Sequence, residues 1–312
     1  MKRKRPENDD LRNKLCELEE RADHLVESLR DGNFKNELSK DTDLLVVIAY
    51  GVLQNNQFSL SIFNLISEKL KDATKEDLFS IFQNSADTLS AIADAAANGH
   101  PNALNAITTQ LVEFTKDDLL SLFQNSPHTL RAIAYAGVKG HPNALNAITT
   151  QLGEFTKDDL LLLFEYYCHM LKDITHAAVN GYPNALNAIA PHLVQFSTDN
   201  LLSLFQNSTG TLRAIAFAAA NGHSYALYAI APQLGVFSTA NLLSLFQNSP
   251  DALSAIAFAA ANGHPKALNA ISPQLGVFST ANLLSLFQTS PDALSAIASL
   301  KKKLVTRVQV TI

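Results

Sequence analysis

The sequence predicts an all-α fold, a right-handed α-solenoid built from three-helix repeats of about 41 residues with atypical caps at both ends. Three observations carry this prediction. A glycine recurs every 41 residues, the apolar residues around it recur at helical spacing, and Ser/Thr and Gly mark helix ends at the same places in every copy, with Pro beside them in some copies. The glycines are Gly99, Gly140, Gly181, Gly222 and Gly263. A fixed period of this size is typical of a solenoid, in which each repeat buries its apolar face against the next.

The first helix of each repeat begins after a Phe-Thr or Phe-Ser pair, such as Phe114-Thr115. A hydroxyl at the N-cap accepts a hydrogen bond from an otherwise unpaired backbone N–H, and Asp118 three residues later completes a capping box. Phe114 and Leu119 have the spacing of a hydrophobic staple. The pattern therefore predicts a short helix from residue 116.

The second helix follows directly, with Ser249 predicted as its N-cap and Pro250 at its first position in the fifth repeat. Its inward face is predicted to hold Leu253, Ile256, Ala257 and Ala260. Gly263 ends it, because glycine adopts the left-handed conformation without a steric penalty.

The third helix is predicted to start at His264-Pro265 and to turn Leu268, Ile271 and Leu275 inward.

The stretch AlaAlaAlaAsnGlyHis at 259–264, followed by Leu268 and Ile271, resembles the helix-turn-helix part of an ankyrin repeat. A helix stands where that family has a β-turn finger, so the repeat is armadillo-like in its helix count. This resemblance implies a protein-binding module. The stretch 249–257, SerProAspAlaLeuSerAlaIleAla, is similar to transcription-activator-like DNA-binding repeats, although four residues separate it from Asn-Gly and the Gly-Gly pair of that family is absent.

The repeat pattern divides the chain into five parts. Residues 1–38 hold a basic leader and a heptad-patterned helix, and 39–73 a degenerate repeat. Residues 74–277 hold five helical repeats and 278–300 a partial repeat. The tail, 301–312, alternates from Leu304 as a strand does.

The leader contains four consecutive basic residues, Lys2, Arg3, Lys4 and Arg5. They are a candidate nuclear-localisation signal for a nuclear import receptor, or a solvated tail. Leucines from Leu11 to Leu29 then follow heptad spacing. Two interpretations are open: a dimerising or partner-binding helix, or a stripe that docks on the first repeat as a cap or in a helical hairpin.

The composition limits which class of partner and which cellular compartment fit this chain. The net charge is −5, and only five ionic residues lie between 196 and 298, which disfavours phosphate binding by that stretch. Two distant cysteines, Cys16 and Cys168, predict a reducing compartment, cytoplasmic or nuclear. No apolar run is long enough for a membrane helix.

Two positions of the second helix, four residues apart, vary between repeats while their neighbours stay constant. Spacing of four places both on one helical ridge, and Arg and aromatic residues are typical anchors of protein interfaces. We predict this variable stripe as the partner-binding surface; the alternative is that its phenylalanines pack between repeats. Its candidate residues are Asp94, Arg131, Tyr135, Lys172, His176, Arg213, Phe217 and Phe258.

The third repeat departs from the others at Cys168, His169, Asp173 and His176. The last three share a helix face, and a thiol at a helix start is activated by the dipole, so a metal site or a Cys/His nucleophilic pair is an alternative. No known catalytic motif accompanies them, and we expect neither an enzyme nor a cofactor. The histidines that follow the corner glycines are expected to be structural: His100, His141, His223 and His264.

The expected function is therefore protein binding on an extended helical surface, with the partner unidentified and no membrane involved. DNA binding is the alternative. By analogy, similar repeats and a basic leader resemble effectors that intracellular bacteria deliver into host cells.

Overall fold

The structure, a computed structural model, describes residues 8–30 and 43–309, with side chains up to residue 300. Within these ranges every regular element is an α-helix and no strand occurs. The helices are α1 Asn8–Glu20, α2 Ala22–Arg30, α3 Leu44–Leu53, α4 Gln57–Leu70, α5 Lys75–Asn84, α6 Thr88–Ala97, α7 Asn102–Leu111, α8 Lys116–Asn125, α9 Thr129–Val138, α10 Asn143–Glu154, α11 Lys157–Tyr166, α12 Met170–Val179, α13 Asn184–Leu193, α14 Thr198–Asn207, α15 Thr211–Ala220, α16 Tyr225–Val236, α17 Thr239–Asn248, α18 Asp251–Ala261, α19 Lys266–Leu275, α20 Thr280–Thr289 and α21 Pro291–Gln309.

Each full repeat consists of three helices, which we call A, B and C in chain order. The A helices are α5, α8, α11, α14, α17 and α20; the B helices are α6, α9, α12, α15, α18 and α21; the C helices are α7, α10, α13, α16 and α19. Within the described residues, α3 and α4 supply a B-like and a C-like helix ahead of repeat 1. The predicted all-α solenoid is confirmed.

Local sequence explains where the A helices begin. The Asp118 N–H donates to Thr115 Oγ1 (3.2 Å) and the Thr115 N–H donates to Asp118 Oδ2 (2.9 Å), a reciprocal capping box. The same box forms at the three other N-caps that precede Asp or Asn in repeats 1, 3 and 4, namely Thr74, Thr156 and Ser197. At Ser238 the hydroxyl accepts from the Asn241 N–H.

The corner between B and C helices has a Schellman geometry in every repeat. In repeat 1 the His100 N–H donates to Ala95 O and the Gly99 N–H donates to Ala96 O. Gly99 has a φ of +98°, and the other four corner glycines lie between +96° and +101°. Asn55, with φ +59°, takes the corresponding place between α3 and α4. The left-handed corners predicted from the glycines are therefore present.

The predicted N-cap of the B helix is wrong. Ser249 is the C-cap of α17, and α18 starts after Pro250 without a side-chain cap. The Ser249 hydroxyl instead donates to the Thr209 carbonyl of the preceding repeat. Because its hydroxyl is used in this bond, Ser249 joins two repeats and does not cap α18.

The chain forms two compact units, residues 1–154 and 155–312. Within each unit, B helices pack on B helices and C helices on C helices of the adjacent repeat. Small side chains let the B helices approach closely: Ala214, Ala216 and Ala218 of α15 are all buried. C helices are also joined by glutamines, as where the Gln233 amide donates to Val194 O at 2.7 Å.

The heptad leucines belong to two helices rather than to the single helix that the spacing predicts. α1 packs on α3 and α2 packs on α4, so the chain bends at Arg21 to follow the B and C directions. The leucines are buried within the chain: Leu11, Leu15, Leu18, Leu25 and Leu29. Lys14 Nζ also bonds Asp43 Oδ2 at 3.2 Å. The stripe thus docks on the degenerate repeat.

The C-terminal end of the described chain differs from the prediction in two ways. α21 continues to Gln309, where alternation predicts a strand, because no Gly or Pro follows Pro291 and extending a helix costs less than starting a new element. Leu275 is half-buried, whereas its equivalents Leu193 and Leu234 are fully buried. No later C helix covers Leu275 in the described part of the chain.

None of the helices in the described ranges has both the length and the apolar composition needed to traverse a lipid bilayer.

Candidate protein-binding surface

The variable stripe of the C-terminal unit lies on three stacked B helices, α12, α15 and α18. Phe217 of α15 and Phe258 of α18 meet across the repeat boundary, with ring centroids 6.3 Å apart and planes inclined by 58°. Such tilted pairs are favoured by the aromatic quadrupole. Phe217 is half-buried and Phe258 is 48% exposed. The rings therefore pack on each other between repeats and are still partly exposed to solvent, while partner binding by them stays a prediction.

Arg213 lies against one ring of the aromatic pair. Its guanidinium carbon lies 5.3 Å from the centroid of the Phe217 ring, one helical turn along α15. The same guanidinium forms an ion pair with Asp251 of the next repeat, Nη1 to Oδ2 3.2 Å. Half of each of these charged side chains is exposed, so the pair orients the arginine and adds little stability.

Lys172, the first stripe residue of repeat 3, lies over Gly210 of the next repeat. A Cβ built at Gly210 would come within 2.7 Å of the lysine Cε, so the glycine makes room for the lysine stem. His176, four residues later, is exposed, and its carbonyl accepts the Asn180 amide at 2.8 Å. These contacts extend the surface by one repeat.

The N-terminal unit carries the remaining stripe residues. Tyr135 is 45% exposed, and the Lys139 ammonium lies 5.3 Å from its ring centroid. Arg131 is exposed and Asp94 is half-buried. Ser90, the other position of the stripe in repeat 1, is buried.

The sequence interpretation missed a ridge of asparagines on the C helices. One asparagine recurs every 41 residues, at Asn64, Asn105, Asn146, Asn187 and Asn269, and caps no helix. Asn64 and Asn105 line a groove of about 800 Å³ between α4 and α7, together with Lys71 and Glu68. The sequence signal for this ridge is a polar residue that recurs at one position of the C helix in every repeat but the fourth, without a capping role.

Tyr228 replaces the ridge asparagine in repeat 4. Its hydroxyl lies 3.2 Å from His264 Nδ1, and the Lys266 ammonium lies 4.5 Å from its ring centroid. This tyrosine thus contacts one of the corner histidines, and His264 takes part in packing between repeats.

The structure does not bring the candidate metal ligands of the third repeat together in one group. Cys168 is a half-buried free thiol, His169 precedes α12, and His176 is exposed. Throughout the described residues, no group of three His, Cys, Asp or Glu side chains is placed to hold a metal ion.

The four basic residues of the leader, Lys2 to Arg5, lie outside the described residues, as do the segment 31–42 and the last three residues.

The chain matches no known protein family, no curated protein and no solved structure. The ankyrin and armadillo resemblances therefore stay predictions, while the all-helical repeat architecture stands on the structure.

Proposed function

We propose that this chain is a protein-interaction module whose B helices bind a partner at the aromatic patch, defined as Arg213, Phe217 and Phe258. The observation that carries the proposal is the exposed Phe217–Phe258 pair with Arg213 stacked on it. Aromatic and Arg side chains are enriched in interface hot spots, and an aromatic ring buries a large area at a low cost in side-chain entropy.

The neighbourhood of the patch defines the partner's chemistry. The rings offer an apolar contact. Arg213 pairs with Asp251 through Nη1, and half of its side chain stays exposed, so its guanidinium can also reach an acidic group at the edge of the patch. The patch sits on packed helices whose inward residues are buried, which keeps the ordering cost of binding low. A partner that inserts an apolar side chain beside a carboxylate fits this surface.

The test is a selection from a displayed random-peptide library against the wild-type chain, followed by calorimetry of the enriched peptides. Truncating a hot-spot residue costs about 2 kcal/mol or more, so Phe258→Ala is expected to raise Kd by about 30-fold. The matched control is Tyr225→Ala, which removes a 66% exposed aromatic ring from a C helix instead of a B helix. It is expected to leave Kd unchanged.

Equal loss of affinity in both variants, or in neither, would contradict the proposal. A labelled DNA duplex provides the competing arm, because phosphate binding weakens steeply with salt. Salt-sensitive binding to the duplex that Phe258→Ala does not change would favour the nucleic-acid alternative.

The compartment of action is part of the proposal. Both cysteines are free thiols, Cys16 exposed and Cys168 half-buried, which agrees with a reducing environment. Nuclear import through the basic leader and delivery into a host cell stay predictions.

A further inference from the structure

Four of the five full repeats have an Asn-Gly pair at the corner between the B and C helices, and repeat 2 has Lys139-Gly140 there. Asn-Gly pairs are prone to deamidation, because glycine has no side chain to shield its backbone nitrogen. That nitrogen attacks Asn Cγ, the Cγ–Nδ2 bond breaks, and the glycine N–H proton leaves with the amide nitrogen as ammonia. Water then opens the cyclic imide to aspartate or isoaspartate. The pairs are Asn98-Gly99, Asn180-Gly181, Asn221-Gly222 and Asn262-Gly263.

The backbone of the folded corner opposes this reaction. The ψ of the four asparagines lies between 13° and 18°, which turns the glycine nitrogen to the side of the Cα–C bond opposite Cβ. Ring closure therefore needs a large rotation about ψ, and in repeat 5 this rotation breaks two hydrogen bonds of the corner. They are Gly263 N–H to Ala260 O (3.1 Å) and His264 N–H to Ala259 O (3.0 Å). The helix end must unwind before the nitrogen can reach the amide carbon.

The asparagine side chain is held in place as well. In all four corners its Nδ2 donates to the carbonyl four residues earlier at 2.8 Å, as from Asn262 to Phe258 O. Lys139 forms the same corner in repeat 2 without an amide, with ψ 6° and the His141 N–H 2.9 Å from Ala136 O. The backbone corner therefore does not need asparagine, whereas deamidation does.

A corner that has reacted would no longer close as it did before. An aspartate carboxylate at position 262 cannot donate to Phe258 O, and its charge lies at the negative end of the B-helix dipole. Isoaspartate also inserts a methylene into the backbone directly before the left-handed glycine. Each modified corner is thus less stable than the corner that it replaces.

We propose that the four Asn-Gly corners are latent modification sites, at which deamidation occurs only when the repeat that holds the corner opens. Repeats of a solenoid contact only their neighbours and can open locally, so each corner reacts in proportion to the open fraction of its own repeat. Water is the only co-reactant. The proposal does not depend on the function proposed for the aromatic patch.

Peptide mapping by mass spectrometry tests the proposal on the full chain, incubated in mildly alkaline buffer with and without urea above the unfolding midpoint. In urea all four asparagines are expected to convert to aspartate and isoaspartate. In buffer each should convert more slowly by at least about tenfold, because only the open fraction reacts. Equal rates in the two conditions, or four unchanged asparagines in urea, would overturn the proposal.

Two matched variants test whether the opening is local. Ile107 and Ile271 are fully buried at the same position of the C helix, in repeats 1 and 5. Ile271→Val loosens repeat 5 modestly, so in buffer it should speed conversion of Asn262 about twofold to tenfold and leave Asn98 unchanged. Ile107→Val should do the reverse. Circular dichroism of both variants should match the wild type. Faster conversion of both asparagines in either variant, or of neither, would contradict local opening and overturn the proposal.

Discussion

At the scale of single residues, two of the glycines of repeat 2, Gly137 and Gly140, differ in what they do. Gly140 has a φ of +100°, and a Cβ added there would meet no atom within 4 Å. Gly137 lies inside α9, where a Cβ would make ordinary contacts from 3.5 Å, and the equivalent residues of the other repeats are alanines, Ala96, Ala178, Ala219 and Ala260. The first glycine is needed for its backbone conformation and the second is not.

We therefore expect opposite effects from the same change. Gly140→Ala should lower the free energy of unfolding by about 1–2 kcal/mol, because an L-residue is strained in the left-handed region. Gly137→Ala should raise it by about 0.5–1 kcal/mol through helix propensity. Urea unfolding of the two variants measures both. Similar effects of the two changes would show that the positive φ of Gly140 does not require glycine.

Residue-level features were predictable where one residue and its immediate neighbours decide them. The left-handed glycines and the capping box of Thr115 and Asp118 need only local sequence. The Ser249 hydroxyl was assigned wrongly because its acceptor, the Thr209 carbonyl, lies 40 residues away. Local sequence does not contain the position of a carbonyl in another repeat.

At the scale of elements, Asp118 links two A helices. Its carboxylate lies 2.9 Å from Lys75 Nζ, so α8 is joined to α5 of the preceding repeat. Burial raises the pKa of Asp118, but the hydrogen bonds from Lys75 and from the Thr115 N–H and hydroxyl outweigh it, and the pKa falls below its usual 3.8. A lowered folded-state pKa means that the ionised carboxylate stabilises the fold above pH 3.8 and that this stabilisation is lost as pH falls through the folded-state pKa.

Asp118→Asn keeps an acceptor for the capping box, as Asn200 does in repeat 4, and removes the charge. At pH 7 we expect the variant to be less stable by about 0.5–1 kcal/mol, the range for a partly exposed pair. The difference should shrink as pH falls below 3.8. Urea midpoints against pH for both proteins measure it.

The control is Asp117→Asn, whose carboxylate is 88% exposed and 3.9 Å from Lys116. Its midpoint should follow the wild-type curve closely. If the difference in urea midpoint between Asp118→Asn and the wild type did not depend on pH, the lost stability would belong to the capping box and not to the charge.

Element boundaries were predictable inside the repeats and not at the ends. The A, B and C helices recur because each copy has the same caps and corners. The heptad stripe is compatible with one helix, yet α1 and α2 separate at Arg21 because each packs on a different neighbour. Tertiary packing decided that bend, and local propensity contains no signal for it.

The candidate site was predictable as a ridge but not as a set of contacts. Spacing of four placed Arg213 and Phe217 on one face of α15, which the structure shows. The approach of Phe258 and Asp251 depends on the angle between adjacent B helices, which the sequence period does not specify.

At the scale of the whole molecule, the 41-residue period implies that each repeat interacts only with its neighbours. Removing residues 198–238 joins Ser197 to Thr239 and deletes one full period, so every remaining helix keeps the cap, corner and neighbour types that it has now. We expect this chain to fold, with mean residue ellipticity unchanged and a lower urea midpoint from the loss of one repeat and one interface.

Removing residues 198–217 instead joins Ser197 to Ala218, deletes the A helix and part of a B helix, and breaks the register. That shorter deletion should lose cooperative unfolding although it removes fewer residues. If both deletions behaved alike, stability would not depend on nearest-neighbour stacking of whole repeats.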